Sequence, residues 1–170
     1  MKLIMESWRN YVMEAKNKLT VGILPYRIQG DVQFLIGEFT NIYHAFPDEE
    51  PDEGFSSKWT CFKGKIDEGE DEKTAARREF QEESTFAWGG ELDDSKAVQN
   101  KKVKVWLVDG SEINASRFDR EAVNKITGEY LYGMPEIWRI GWFSAEEAKS
   151  KLANSQKDLI DQALNVLEKK

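Results

Sequence analysis

Residues 64–86, GKIDEGEDEKTAARREFQEESTF, constrain this chain more than any other stretch. A charged turn containing Gly64 and Gly69 leads into TAARREFQEES, a block of strong helix formers. Residues three and four apart share a helical face, so Glu79, Glu82 and Glu83 project together. Glu72, one heptad before Glu79, is expected on the same side. Ala76 and Phe80 form an apolar edge suited to a seat against a sheet. A surface helix commonly sets Glu against Lys four residues on, whereas here Glu79 meets Glu83. Like-charge pairs cost only about 0.2–0.5 kcal/mol each, so energy alone does not exclude chance. The arrangement is nevertheless the one a hard divalent cation needs.

The rest of the chain predicts a frame for this helix. Apolar residues Ile4, Trp8, Tyr11, Val12, Ala15 and Leu19 recur at helical spacing, predicting an N-terminal helix over residues 3–18. Its stripe packs on its own domain or, as the alternative, forms a dimer contact. TVGILPYR (20–27) and VQFLIGE (32–38) read as strands joined by a Gln-Gly-Asp turn, hence a hairpin. Residues 41–58 read as an exposed acidic loop in which His44 is incidental. KWTCF (58–62), VKVWLV (103–108) and IWRIGWF (137–143) are further strands, and residues 109–133 are irregular by pattern. Ser144 with Glu147, and Ser155 with Asp158, predict caps for two closing helices. Strands and helices interleave irregularly, predicting an α/β (α+β) sandwich with a mixed β-sheet between helices and an extra N-terminal helix.

At 170 residues the chain is long enough for one domain with a sizeable core. With 40% hydrophobic and 32% charged residues it reads as soluble and globular rather than disordered. The N-terminal stretch mixes charges into its apolar positions and lacks a signal-peptide core, and no run reaches membrane-spanning length. A single cysteine, Cys61, excludes an internal disulfide, fits a reducing cytoplasm and reads as a small buried hydrophobe. One histidine excludes a His-rich zinc site. The net charge of −7 disfavours nucleic acid as a partner. A phosphate-bearing substrate would need metal ions or a local basic cluster.

A turn glycine, a glutamate six residues on, and then Arg-Glu-apolar-x-Glu-Glu closing on an apolar residue resembles the Nudix box. The matches are Gly64, Glu70, Arg78, Glu79, Phe80, Glu82, Glu83 and Phe86. Trp59, the Lys63-Gly64 pair, Pro135-Glu136 and Trp142-Phe143 agree with it as flanking features. The resemblance implies a Nudix-like fold, with residues 20–170 as a single Nudix hydrolase domain and 1–19 as a helical extension. Two positions depart from the pattern. Phe62 stands where many members have proline, and Thr85 replaces the box's second glycine. A β-branched residue tolerates positive φ poorly, so the expectation is a different helix exit, with Gly89-Gly90 making the turn.

The resemblance also implies hydrolysis of a nucleoside diphosphate linked to another moiety, with Mg²⁺ as cofactor and Mn²⁺ as a substitute. Nucleoside triphosphates and dinucleoside polyphosphates are favoured over ADP-ribose and other sugar nucleotides. Glu82 and Glu83 are the implied core metal ligands, with Glu79 close behind and the Gly64 carbonyl as a further donor. Glu70 and Arg78 are implied to brace the turn against the helix. Glu79 and Glu136 are the candidate general bases. Lys63 either meets a phosphate or is a solvated charge, and Tyr130 and Tyr132 either stack on a base or, the weightier reading, pack. The rival function is a Nudix-fold sensor that binds a nucleotide without turnover. A small-molecule nucleotide is the expected partner, and a monomer or homodimer the expected state.

Overall fold

The computed structural model describes residues 19–169; the predicted N-terminal helix lies outside the described residues. A seven-stranded sheet forms the middle of the molecule. Its hub is β1 (Thr20–Gln29), which forms a hairpin with β2 (Asp31–Phe39) through Gly30. Gly30 takes φ 75°, which glycine adopts without penalty. This hairpin pairing reaches only as far as Tyr26 and Phe34. Beyond that point, β3 (Trp59–Thr60) pairs with β2, and β4 (Phe62–Lys65) pairs with the first half of β1. On its other edge β1 runs parallel to β6 (Val103–Asp109), which carries the short β5 (Ala97–Gln99) antiparallel. The outer edge of β2 carries β7 (Ile137–Ser144), also antiparallel.

Alternation along the strands makes two cores, one on each face of the sheet. Leu24, Tyr26, Val103, Val105 and Leu107 point to one face and are covered by α3 (Ala145–Lys151) and α4 (Lys157–Glu168). Val21, Ile23, Trp106 and Val108 point to the other, where Ala75, Ala76 and Phe80 of α2 (Glu72–Ser84) close over them. The expected mixed sheet with helices on both faces is present. Among the described residues no helix is long and apolar enough to cross a membrane.

Three local expectations need correction. The acidic loop holds a one-turn helix, α1 (Ile42–Ala45), and His44 is not incidental. Its Nδ1 accepts the Asn41 N–H at 3.0 Å, its Nε2 lies 3.0 Å from Glu38 Oε1, and its ring stacks on Trp138 with centroids 4.5 Å apart. Glu38 is 1% exposed and is also bound by Arg139, so one buried carboxylate ties together two strands and the loop. Burial lowers the His44 pKa although Glu38 opposes it. With Nδ1 accepting, the neutral ring is the form that satisfies both contacts. Ser155 does not cap α4. The chain enters that helix through the tight turn Asn154–Gln156, and the Gln156 side chain instead accepts the Cys61 N–H at 2.7 Å.

Thr85 is the third. It ends α2 in the left-handed region at φ 68°, and Gly89 and Gly90 stay outside that region. Two hydroxyls stabilise this exit. Ser84 Oγ donates to the Phe80 carbonyl and accepts the Phe86 N–H, while Thr85 Oγ1 accepts the Asp119 N–H at 3.1 Å. These contacts, one within the helix end and one from 34 residues on, offset a strain of order 1–3 kcal/mol.

Cys61 is wholly buried, and burial pushes its thiol up to about 12. Because the thiolate is the reactive form, iodoacetamide at neutral pH should leave Cys61 unmodified in the folded protein. Mass spectrometry should find it fully alkylated in denaturant.

Candidate active site

The parting of β1 from β2 places β4 directly beneath α2. Helix α2 starts at Asp71, whose side chain accepts the Thr74 N–H at 2.8 Å, a cap absent from the sequence-based expectations. Phe80 fixes the helix to the sheet, meeting Phe62 edge-on with ring centroids 5.5 Å apart. That seat holds the carboxylate face of α2 over Lys63 and Gly64. Glu83, 7% exposed, accepts the Lys63 backbone N–H at 2.9 Å. Burial drives its pKa well up, partly opposed by that hydrogen bond.

Gly64 makes room for Glu79, because a Cβ there would overlap the Glu79 carboxyl group. Gly64→Ala is therefore expected to displace Glu79 and lower activity roughly 10–100-fold, the usual cost of disturbing the support of a functional side chain. Steady-state kinetics would check this, with circular dichroism as the control for folding.

Arg78 organises the acidic groups. Its Nε and Nη2 reach the two Glu70 oxygens at 2.8 and 2.9 Å, and Nη2 also donates to the Lys65 carbonyl at 2.9 Å. Nη1 meets Glu79 at 2.8 Å and Glu82 at 3.2 Å. The Glu70 carboxyl is lowered to about 2, chiefly by its bond to Arg78. Glu79 goes the other way, raised mainly by burial and further by Glu82, with Arg78 opposing. Glu136, at the entry to β7, is raised by burial first and then by the charges of Glu79 and Glu82. Helix α2 and the segment before β7 thus bring four carboxylates, Glu79, Glu82, Glu83 and Glu136, to one side of the molecule.

The structure does not bring every candidate there. Glu72 turns away and pairs with Lys104 at 2.8 Å, so it leaves the carboxylate face. Tyr130 and Tyr132 are 88% and 78% exposed, which overturns the packing reading. Both ride on a loop closed by a bridge between Lys125 and Pro135, just before Glu136. The Lys63 side chain makes no hydrogen bond among the described residues, and its charge lowers the Glu83 pKa.

A divalent ion fits the chemistry of this donor set. The oxygens are hard, crowded by like charge and only partly neutralised by Arg78. Among the described residues no three acidic, histidine or cysteine side chains close into a preformed cage. An open wall suits Mg²⁺, which keeps waters and substrate phosphates in its shell.

Comparison with known proteins agrees with this geometry. The NUDIX domain family model matches residues 16–163. A Caenorhabditis elegans Ap4A hydrolase binary complex superposes with a TM-score of 0.57 at 21% identity, covering 89% of this chain and 98% of that one. A NUDIX hydrolase from Listeria monocytogenes gives 0.55 at 16%, covering 88% and 94%. The NUDIX domain of Shewanella oneidensis NrtR, complexed with ADP ribose, gives 0.51 at 16%, covering 89% and 88%. Comparison with curated proteins gave no match. The family model spans most of the chain, including the sheet, the α2 carboxylates and the turn that braces them, and so the chain belongs to the Nudix family of hydrolases.

Proposed function

We propose that this chain is a Mg²⁺-dependent pyrophosphohydrolase, served also by Mn²⁺, that cleaves a phosphoanhydride bond in a nucleoside diphosphate linked to a further group. Nucleoside triphosphates and dinucleoside polyphosphates are its favoured substrates. The observation that carries this reading is the grouping of Glu79, Glu82, Glu83 and Glu136, three of them with raised proton affinity, of which only Glu79 and Glu82 are paired with Arg78. A divalent ion bound there would neutralise phosphate charge and activate water, which a chain of net charge −7 needs.

Glu79, Glu82 and Glu83 would hold such an ion, with the Gly64 carbonyl as a further donor. Glu83 is oriented by the Lys63 N–H, and Glu79 by the space that Gly64 leaves. The Glu70–Arg78 pair keeps the turn before α2 in register with the carboxylates. Glu136 or Glu79 takes the proton from the attacking water; a carboxylate whose pKa is pushed towards neutrality is the stronger base. Glu136 has no arginine partner among the described residues, which favours it. The Lys63 ammonium faces a substrate phosphate, and the exposed Tyr130 and Tyr132 rings offer stacking surfaces for a base. A fold neighbour described as an Ap4A hydrolase supports the substrate preference, and one complexed with ADP ribose adds that class to the test. The setting is the cytoplasm, and the protein is a monomer or homodimer.

Incubation with nucleoside triphosphates, dinucleoside polyphosphates and ADP-ribose in Mg²⁺, with products resolved by chromatography, tests this reading. Turnover that stops on chelation is the expected result. Nucleotide binding without turnover would instead mark a sensor.

A further inference from the structure

Thr85 holds a conformation that its side chain disfavours. Its φ of 68° lies in the left-handed region, where a β-branched residue is strained. A position that keeps strain instead of glycine directs attention to what the side chain does. Thr85 Oγ1 accepts the N–H of Asp119, 34 residues on, at 3.1 Å. The Asp119 side chain in turn accepts the Glu121 N–H at 3.1 Å and caps the turn Arg120–Ala122. Arg120 Nε donates to the Trp138 carbonyl on β7, and its guanidinium lies 3.8 Å from the Trp138 ring centroid. The chain then reaches Asn124, whose carbonyl accepts the Glu136 N–H at 2.9 Å. Residues 119–124 are thus held at one end by Thr85, in the middle by the Arg120 contact with Trp138, and at the other end by Glu136 and by the Asn124 N–H, which points to the Glu82 carbonyl of α2 at 3.5 Å.

Between this segment and α2 lies a cleft of about 420 Å³, lined by Arg78, Gln81, Glu82, Thr85, Ala122 and Asn124. Its chemistry narrows the occupant. Arg78, the only cation in the lining among the described residues, is already engaged by Glu70, Glu79, Glu82 and the Lys65 carbonyl. No free positive charge there awaits a phosphate. Gln81 and Asn124 are exposed, their side-chain amides make no hydrogen bond among the described residues, and each offers two donors and an acceptor to whatever enters the cleft. The lining therefore suits an uncharged group rich in donors and acceptors, as a nucleobase or its sugar is.

We propose that Thr85 is a positioning residue whose hydroxyl tethers residues 119–124 and so shapes a cleft beside Glu82, in which Gln81 and Asn124 bind the uncharged, hydrogen-bonding end of the substrate. The assignment of the cleft rests on the hydrolase reading above; the tether does not. Thr85→Gly removes both strain and hydroxyl, Thr85→Ala removes the hydroxyl alone, and Thr85→Ser keeps it. The first two should raise KM about tenfold with kcat within about twofold, and Thr85→Ser should match the wild type. Gln81→Ala and Asn124→Ala should raise KM in the same way.

Amide hydrogen exchange at Asp119, read by NMR, tests the tether without any substrate. Exchange should be about tenfold faster in Thr85→Gly and Thr85→Ala than in wild type and Thr85→Ser. Unchanged exchange overturns the tether. Faster exchange with unchanged KM overturns the role of the cleft. Wild-type protein that turns over no nucleotide defeats the hydrolase reading and the cleft assignment together, and the exchange result then decides the tether by itself.

Discussion

Glu82→Gln should lower turnover of the best nucleotide substrate at least about a thousandfold, while melting temperature and circular dichroism stay near wild type. The two halves of this expectation have different origins. Glu82 is one-third exposed, at 33%, and among the described residues its side chain pairs only with Arg78, at 3.2 Å. Arg78 keeps Glu70, Glu79 and the Lys65 carbonyl when Glu82 loses its charge, so no buried group is left unpaired. Exposed pairs of this kind contribute no more than about 1 kcal/mol to stability. Glutamine keeps the shape of the side chain and one of its acceptor oxygens, so the comparison isolates the negative charge a metal ion requires. Steady-state kinetics in Mg²⁺ checks the prediction, and full activity would put the ion elsewhere.

Phe80→Ala carries the largest expected cost to the fold, about 3–5 kcal/mol, read as a lower midpoint in urea denaturation. Phe80 is fully buried, packs edge-on against Phe62 and is the largest side chain that α2 contributes to its core. Domains of this size are stable by only about 5–15 kcal/mol, so the loss takes a large share of the total. The substitution should also lower activity more than the unfolded fraction explains, because the same ring holds Glu79, Glu82 and Glu83 over β4. A midpoint near that of wild type would mean that the sheet closes over the cavity and that another contact seats the helix.

Much of this was legible in the sequence because it depends on short-range pattern. The two-residue alternation of the strands, the glycine turn after Gln29 and the Ser144 cap are all set by neighbours a few residues apart. The carboxylate face of α2 follows from helical periodicity alone. The Glu70–Arg78 pair also formed, because a turn and the first turns of its helix are close in sequence. Glu72 failed the same logic. At the first turn of α2 its side chain reaches Lys104 on β6, and an available cation outweighs the heptad relation to Glu79.

What the sequence by itself determined is the family, the two-sided sheet and the residues that make up the carboxylate face of α2. Each of these is written in spacing that one helix or one strand can express. Only the tertiary structure decided how the helix ends and what surrounds it. Thr85 takes φ 68° because a backbone N–H from 34 residues on meets its hydroxyl. Glu38, which His44 joins, is a paired buried carboxylate because Arg139, 101 residues on, lies opposite it on the neighbouring strand. Such contacts depend on which strands lie side by side, and no local periodicity encodes that choice.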